Sequence, residues 1–233
     1  MRTIAVLCFT PSERPAYMAE WLGENDRPWK LYQLHAGEPF PTSARELAGI
    51  AMMGGTISAN DPAPWKGPLF ALLSDAFARQ VPVIGHCLGG QIMAHALGAQ
   101  VKEGEPEIGW HDVHLFDEAA VEWFGPHRRF TPFHWHYEQF ELPANARRVL
   151  TNAVNINQAF VFDNRHIGLQ CHIEVDLPQL ETWCRLYGDL LPERADRFRQ
   201  PGHAILETAR DRVAALRPIA RLVYSRWSQG LRF

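Results

Sequence analysis

The most informative segment of the chain reads Val83-Ile84-Gly85-His86-Cys87-Leu88-Gly89-Gly90-Gln91, an apolar run that passes into closely spaced glycines. A Gly-x-Cys-x-Gly pattern between a strand and a helix is typical of a nucleophile elbow, with cysteine in place of serine. Glycines on both sides of Cys87 would let the backbone fold back sharply. The start of the following helix would favour a thiolate at Cys87 and leave the amide of Leu88 free to bind an oxyanion.

The simpler interpretation of Cys87 is a small buried residue beside packing glycines. The flanking glycines at this strand–helix junction favour catalysis instead. The other cysteines, Cys8, Cys171 and Cys184, lack such flanks, and we expect them in the core or at its margin. No two cysteines form a Cys-x-x-Cys pair, so neither a zinc site nor a disulfide framework is indicated.

Short apolar runs alternate with helical patterns around this turn. Strands are predicted at 4–8, 30–34, 50–53 and 81–85, and helices at 13–23, 65–79 and 88–97. This β-α-β-α order predicts an α/β fold, with a mostly parallel sheet that carries helices on both faces.

The middle of the chain has a different pattern. Strands are predicted in close succession at 110–116, 130–135, 146–150, 157–162 and 167–172, so some of them should be antiparallel hairpins added to the sheet. Helical spacing returns at 177–187 and 204–216. We expect a single domain over residues 1–233, with 176–233 as a helical C-terminal extension.

The charge balance limits the classes of partner. Among 233 residues, 23 are Lys or Arg and 26 are Asp or Glu, which gives a net charge of −3. Nucleic-acid binding needs a clustered basic excess. No run reaches the ~18 apolar residues of a membrane span, and the N-terminal apolar run is too short for a signal peptide. We therefore expect a cytoplasmic protein that binds neither nucleic acid nor a membrane.

A second candidate segment reads Gln170-Cys171-His172-Ile173-Glu174. A cysteine nucleophile needs a base, and the base needs a group that orients it. Residues two apart in an extended segment point to the same face, so His172 and Glu174 would project together. A carboxylate beside an imidazole fixes its tautomer, as in Cys-His-acid triads. From these residues alone, a surface ion pair of small energetic value is an equally good interpretation.

The two segments together resemble the signature elements of the class I, triad-type glutamine amidotransferases. Two further stretches agree, Met53-Gly54-Gly55 and Glu107-Ile108-Gly109-Trp110, and the latter is similar to a segment of stand-alone members. The resemblance extends from about Ile4 to about Leu177. It implies a flavodoxin-like α/β domain that hydrolyses the side-chain amide of glutamine through a cysteine thioester, with no cofactor.

The resemblance also implies catalytic roles. Cys87 would attack the amide carbon, His172 would pass a proton to the departing ammonia, and Glu174 would orient His172. The backbone amides of Gly55 and Leu88 would form the oxyanion hole.

For substrate binding, the resemblance implies that Gln91 contacts the amino-acid end of the substrate. Gly54, Trp135 and Tyr137 are the other expected contacts, and Trp135 either packs the rim or belongs to an aromatic wall. Tyr137 stands where many members have glycine, and Glu138 where they have aspartate. A bulky side chain there would narrow the subsite, so we expect γ-glutamyl chemistry in general rather than free glutamine alone.

The histidines raise a metal hypothesis. His134 and His136 would share a strand face, and His111 and His114 are close in sequence. Zinc needs three or four convergent ligands, and the sequence has no His-Glu-x-x-His motif. We therefore predict no metal site and interpret these residues as strand histidines beside a cleft.

Several functional hypotheses stay open. The chain would bind glutamine or a γ-glutamyl small molecule, and it would either donate ammonia to a separate synthase subunit or act as a self-sufficient hydrolase. A homodimer formed through the C-terminal helices is a further expectation. The alternatives are a Cys-elbow enzyme of the stress-protein and peptidase superfamily, in which an early-strand glutamate pairs with the cysteine, and a non-catalytic ligand-binding domain.

Overall fold

The computed structural model describes residues 2–233 and is built around a mixed sheet. The strands are β1 (Thr3–Cys8), β2 (Trp29–Gln33), β3 (Leu47–Met52), β4 (Val83–His86), β5 (Val101–Trp110), β6 (Val113–Leu115), β7 (Arg129–Phe130), β8 (Phe133–Phe140), β9 (Ala146–Thr151), β10 (Ala159–Phe162) and β11 (His166–Leu169). The main sheet has the order β2-β1-β3-β4-β11-β10-β9-β6-β7, while β5 and β8 form a separate antiparallel ribbon.

The main sheet has a parallel half and an antiparallel half. Strands β2, β1, β3, β4 and β11 pair in parallel, and β10, β9, β6 and β7 continue the sheet as antiparallel strands. Strands β3 and β4 are buried at every residue, because a parallel sheet covered on both faces needs continuous apolar runs. This arrangement confirms the predicted α/β, flavodoxin-like fold class with added hairpins.

Helices cover both faces of the sheet. They are α1 (Ala16–Glu24), α2 (Lys66–Ala78), α3 (Leu88–Ala96), α4 (Val121–Phe124), α5 (Leu177–Leu186) and α6 (Gly202–Ser228). Buried residues of α1, α5 and α6 share one apolar cluster with the side chains on one face of β1, and residues of α2 and α3 share a second cluster with the other face. None of the helices within residues 2–233 is long and apolar enough to cross a bilayer.

Four sequence predictions about individual elements were wrong in their bounds. The strand predicted at 130–135 is divided between β7, which ends at Phe130 in the main sheet, and β8, which begins at Phe133 in the ribbon. The strand predicted at 110–116 is divided, because β5 ends at Trp110 and β6 begins at Val113. The strand predicted at 167–172 ends at Leu169. The helix predicted at 204–216 continues to Ser228 through Pro218, because apolar residues beyond the proline keep one helix face buried.

The turn between β4 and α3 has the geometry of the predicted elbow. Cys87 has φ 48° and ψ −109°, a conformation that L-residues rarely adopt and that must be held by its surroundings. A β-carbon at Gly85 would lie 2.6 Å from the nitrogen of Gly90, and one at Gly89 would lie 2.7 Å from the β-carbon of Met52. The two glycines are therefore required by close backbone packing against α3 and β3.

Gly89→Ala should lower the free energy of unfolding by about 1–3 kcal/mol, because the added methyl group would collide with β3. Gly67→Ala is the matched control, since Gly67 also lies in a helix but a β-carbon added there would have no atom within 4 Å. That substitution should change the free energy of unfolding by no more than about 0.5 kcal/mol, because Gly67 lies in the first turn of α2 and directly precedes Pro68. Urea unfolding of the two variants measures both effects, and equal behaviour would contradict the packing argument.

Candidate functional site

The elbow places Cys87 at the carboxyl end of the parallel strands, where ligands commonly bind in open α/β sheets. Its backbone amide donates to the carbonyl of Leu169 at 2.8 Å, which ties the turn to the end of β11. Its carbonyl accepts from the amide of Gln91 at 2.9 Å, within the first turn of α3. The Cys87 side chain is thus fixed beside the segment that follows β11.

That segment brings His172 and Glu174 together. The Nδ1 N–H of His172 donates to Oε1 of Glu174 at 2.5 Å, and both side chains are buried. The regular strand has already ended, and backbone hydrogen bonds of 2.8 and 3.3 Å between His172 and Phe133 hold the histidine in place. The two side chains meet as the spacing indicated, although the segment is not part of a strand.

The electrostatics of this pair favour an imidazolium beside a carboxylate. Burial lowers the pKa of His172, but the charges of Glu174 and Cys87 outweigh burial and raise that pKa well above its ordinary value. Burial likewise raises the pKa of Glu174, but His172 outweighs it and brings the pKa to about 2. His172 therefore lies between two groups that stabilise its charged form.

A second histidine lies behind Glu174. His86 Nε2 is 3.9 Å from Glu174 Oε2 and 3.3 Å from the hydroxyl oxygen of Tyr224, on α6. Burial lowers the pKa of His86, so its neutral form is favoured. Sequence reasoning assigned no role to His86 or Tyr224. His86 could have been noticed beside Cys87, whereas Tyr224 carried no local signal.

Six of the predicted site residues line one cavity of about 230 Å³: Gly55, Cys87, Gln91, Trp135, Tyr137 and His172. The other three lie just outside its lining. Glu174 is behind His172, and Gly54 packs against the imidazole, where an added β-carbon would be 2.8 Å from Cε1. The Leu88 side chain packs against Gly55, and its Cδ2 atom would be 2.6 Å from a β-carbon added to Gly55.

Two backbone amides next to the cavity are available as hydrogen-bond donors. Among the backbone hydrogen bonds of turns and loops within residues 2–233, none has the amide of Gly55 or Leu88 as its donor. Gln91 donates through Nε2 to the carbonyl of Glu138 at 3.0 Å, so its side chain is held against β8. The Cys87 sulfur lies 3.8 Å from the carbonyl oxygen of Trp135.

Aromatic side chains form one wall of the cavity. The ring of Trp135 packs against Trp183 and Tyr187 with centroid distances of 6.3 and 6.1 Å, and Trp183 also packs on His172 at 5.0 Å. Tyr137 stands at the rim and is 40% exposed. Trp183 and Tyr187 were not predicted, because helical spacing alone does not distinguish a packing residue from a cavity residue.

Glu13 is a titratable cavity residue that the sequence analysis missed. It lies in the loop between β1 and α1, and its Oε2 would be 3.4 Å from a β-carbon on Gly54. Burial raises the pKa of Glu13 to about 7. The charge of His172 opposes this rise, and the charge of Glu174 adds to it. Its position just beyond the carboxyl end of β1 is the signal that could have identified it.

A further polar cluster lies on the β5–β8 ribbon. His134 and His136 share a strand face, as expected, and Glu107 joins them, so that their ligand atoms all lie within 4.8 Å of one another. Burial lowers the pKa of His134 to about 3. Burial opposes ionisation of Glu107, but His136 and other nearby groups outweigh burial and bring the pKa of this carboxyl to about 2. These three residues could hold a metal ion.

Comparisons with known proteins agree on one family. A family model described as glutamine amidotransferase class-I matches residues 28–182. The crystal structure of a glutamine amido transferase from Methylobacillus flagellatus superposes with a TM-score of 0.94 and 37% identity, over 99% of this chain and 95% of that one.

Two relatives have lower coverage. The glutamine amidotransferase-like protein YfeJ of Salmonella typhimurium is 28% identical over 177 residues, which are 71% of this chain and 72% of YfeJ. One subunit of the glutamine-hydrolysing GMP synthase of Saccharolobus solfataricus is 32% identical over 99 residues, which are 41% of this chain and 52% of that synthase polypeptide. The chain thus matches about half the length of this synthase relative.

The raised pKa of Glu13 predicts a pH-dependent stability. Because the folded state holds this proton more tightly than a free carboxyl does, wild-type stability should fall as the pH rises from about 4.5 to about 7. Glu13→Gln removes the ionisation. It should therefore stabilise the protein by on the order of 2 kcal/mol at about pH 8 and by much less at about pH 4.

Chemical unfolding at the two pH values measures this difference. Glu20→Gln, at an exposed position on α1, is the matched control and should differ little from wild type at either pH. An effect of Glu13→Gln that is the same at both values would contradict the assignment of the titration to Glu13.

Proposed function

The chain belongs to the class I glutamine amidotransferases, and on that premise we propose that Cys87, His172 and Glu174 are the catalytic triad that cleaves the γ-amide of glutamine or of a related γ-glutamyl compound. Family membership confirms the resemblance in the sequence and supports glutamine amide hydrolysis in general. One observation carries the assignment of residues: His172 binds Glu174 through Nδ1 at 2.5 Å and shares a cavity with Cys87.

Acylation begins when the Cys87 thiol gives its proton to His172 and the sulfur attacks the amide carbon. A C–S bond forms, and the oxygen gains negative charge that the amides of Gly55 and Leu88 can stabilise. Collapse of this intermediate breaks the C–N bond, and His172 gives a proton to the departing ammonia. A γ-glutamyl thioester on Cys87 remains. Because Nδ1 of His172 is held by Glu174, Nε2 is the nitrogen that exchanges the proton.

Deacylation reverses these roles. His172 takes a proton from water, which attacks the thioester carbon and releases glutamate and the Cys87 sulfur. Glu174 acts through His172 by fixing its orientation and stabilising the imidazolium. The same residues therefore serve both half-reactions, and the atoms and electrons balance without a cofactor.

The substrate end of the cavity favours a γ-glutamyl group of variable size. Gln91 is placed to contact the α-amino or α-carboxyl group, since its side chain lines the cavity and is held by Glu138. Tyr137 and Trp135 bound the same space with aromatic surface. The half-exposed ring of Tyr137 at the rim can narrow the opening around free glutamine. It can also pack on the substituent of a larger γ-glutamyl compound.

An early-strand glutamate is also what the Cys-elbow peptidase alternative would require, and Glu13 lies in the loop that follows the first strand. The charged groups that shift the pKa of Glu13, however, are His172 and Glu174. Glu13 is thus better explained as an additional acid beside an amidotransferase triad than as the partner of Cys87.

The destination of the ammonia is proposed in two versions. Relatives that belong to a GMP synthase support donation to a synthase on a separate chain, whereas a γ-glutamyl hydrolase would work alone.

We also propose that residues 1–233 form one domain with 176–233 as its extension, because α6 packs into the same apolar cluster as β1. A homodimer stays a prediction.

Cys87→Ala should abolish glutamate release and leave the unfolding transition nearly unchanged, because it removes the nucleophile from a small buried site. Cys184→Ser is the matched control and should retain activity.

A glutamine-directed affinity label should attach to Cys87, since burial raises the pKa of Cys8 to about 12 and that of Cys184 to about 11. Attachment to either of these cysteines would defeat the assignment.

Tyr137→Gly should raise kcat/KM for free glutamine relative to larger γ-glutamyl peptides, because it removes a ring from the cavity rim. A panel of these substrates, assayed with the purified chain, gives the ratio directly. Phe116→Gly removes an exposed ring that is not among the cavity residues and should leave the ratio unchanged. An unaltered ratio in the Tyr137 variant would rule out its role in substrate selection.

A further inference from the structure

The ribbon of β5 and β8 brings three potential metal ligands to one face. Its register pairs Glu107 with His136 and Gly109 with His134. Alternate residues of a strand share a face, so both imidazoles and the carboxylate project to the same side. The ligand atoms lie within 4.8 Å of one another, and the three residues are 0%, 0% and 3% exposed for Glu107, His134 and His136.

The imidazole nitrogens of this cluster have no hydrogen-bond partner in residues 2–233. This holds for Nδ1 and Nε2 of both His134 and His136. His136 Nε2 is 3.4 Å from Glu107 Oε2, within ion-pair range. Buried polar atoms are nearly always partnered, and a single metal ion would bind one unpartnered nitrogen of each imidazole.

Neighbouring amides orient the carboxylate. Asn152 donates through Nδ2 to Oε1 of Glu107 at 2.5 Å, and Gln158 donates through Nε2 to Oε2 at 2.6 Å. Metal-binding carboxylates are commonly held by such outer hydrogen bonds, which fix the direction of their remaining lone pairs. The cluster therefore has ordered ligands as well as a favourable composition.

We propose that Glu107, His134 and His136 bind one divalent transition-metal ion, with zinc as the best match. Two imidazoles and one carboxylate form a three-ligand set that zinc accepts, with water in the fourth position. Calcium and magnesium prefer oxygen ligands throughout, so the two histidines disfavour them. The site shares no residue with the proposed triad, although His136 also lines the cavity that holds Cys87.

Such an ion would also fix part of the cavity. Trp135 lies between two of the ligands, and its carbonyl oxygen is 3.8 Å from the Cys87 sulfur. A metal joining β5 to β8 would hold this carbonyl and the aromatic wall in place. The alternative is a metal-free buried ion pair between His136 and Glu107, which gives a different experimental result.

The test uses the Cys87→Ser protein, because a free thiol beside His172 could itself bind zinc. The chelator-treated protein is incubated with zinc sulfate, freed of unbound metal by gel filtration, and analysed by elemental mass spectrometry. We expect about one zinc ion per chain. His134→Ala and Glu107→Gln should each reduce this by at least ~10-fold, while His114→Ala, on an exposed histidine of β6, should retain it.

X-ray absorption at the zinc edge needs no substitution in the cluster and covers the case in which the variants fail to fold. The zinc-loaded Cys87→Ser protein should show two imidazole ligands and no sulfur. Three results would each overturn the proposal. They are the absence of stoichiometric zinc, the retention of zinc in both cluster variants, and a zinc coordination shell that contains sulfur or only oxygen.

Discussion

The strained turn at Cys87 is the constraint on which the rest of the site depends. A residue with φ 48° between a buried strand and a helix is held only because Gly85 and Gly89 allow the backbone of β4, α3 and β3 to approach closely. The amide of Cys87 is tied to β11 at Leu169. This places the sulfur at the first amides of α3 and beside the segment that carries the imidazole.

The second requirement of the proposed triad is a negative charge close enough to His172 to stabilise its protonated imidazole. A buried imidazolium is costly alone, and its neighbour Glu174 makes it favourable through a short, charge-assisted hydrogen bond. Oxygen Oε2 of Glu174 has no hydrogen-bond partner within residues 2–233 and faces His86 at 3.9 Å. The hydroxyl oxygen of Tyr224, on α6, lies 3.3 Å from Nε2 of His86, the same nitrogen that faces Glu174. The C-terminal extension thus forms part of the support for the proposed triad.

The sequence predicted features that depend on local geometry. The elbow was visible because only glycine fits at Gly85 and Gly89, and the fold class followed from the order of apolar runs. The polar ribbon strand β5 was missed because a register shift between Glu103 and Glu107 interrupts any alternation. Glu13 was missed for another reason: its one sequence signal is its position just beyond the end of β1, and its approach to His172 arises from tertiary packing.

Acid-quenched mass spectrometry during turnover of a γ-glutamyl anilide tests the central claim most directly. If the sulfur at the elbow is the nucleophile, the peptide that contains Cys87 should carry a transient γ-glutamyl thioester, and its amount should fall as the substrate is consumed. Release of the aniline with no adduct at any time, or with the adduct on a peptide that contains Cys8, Cys171 or Cys184, would contradict covalent catalysis at this turn.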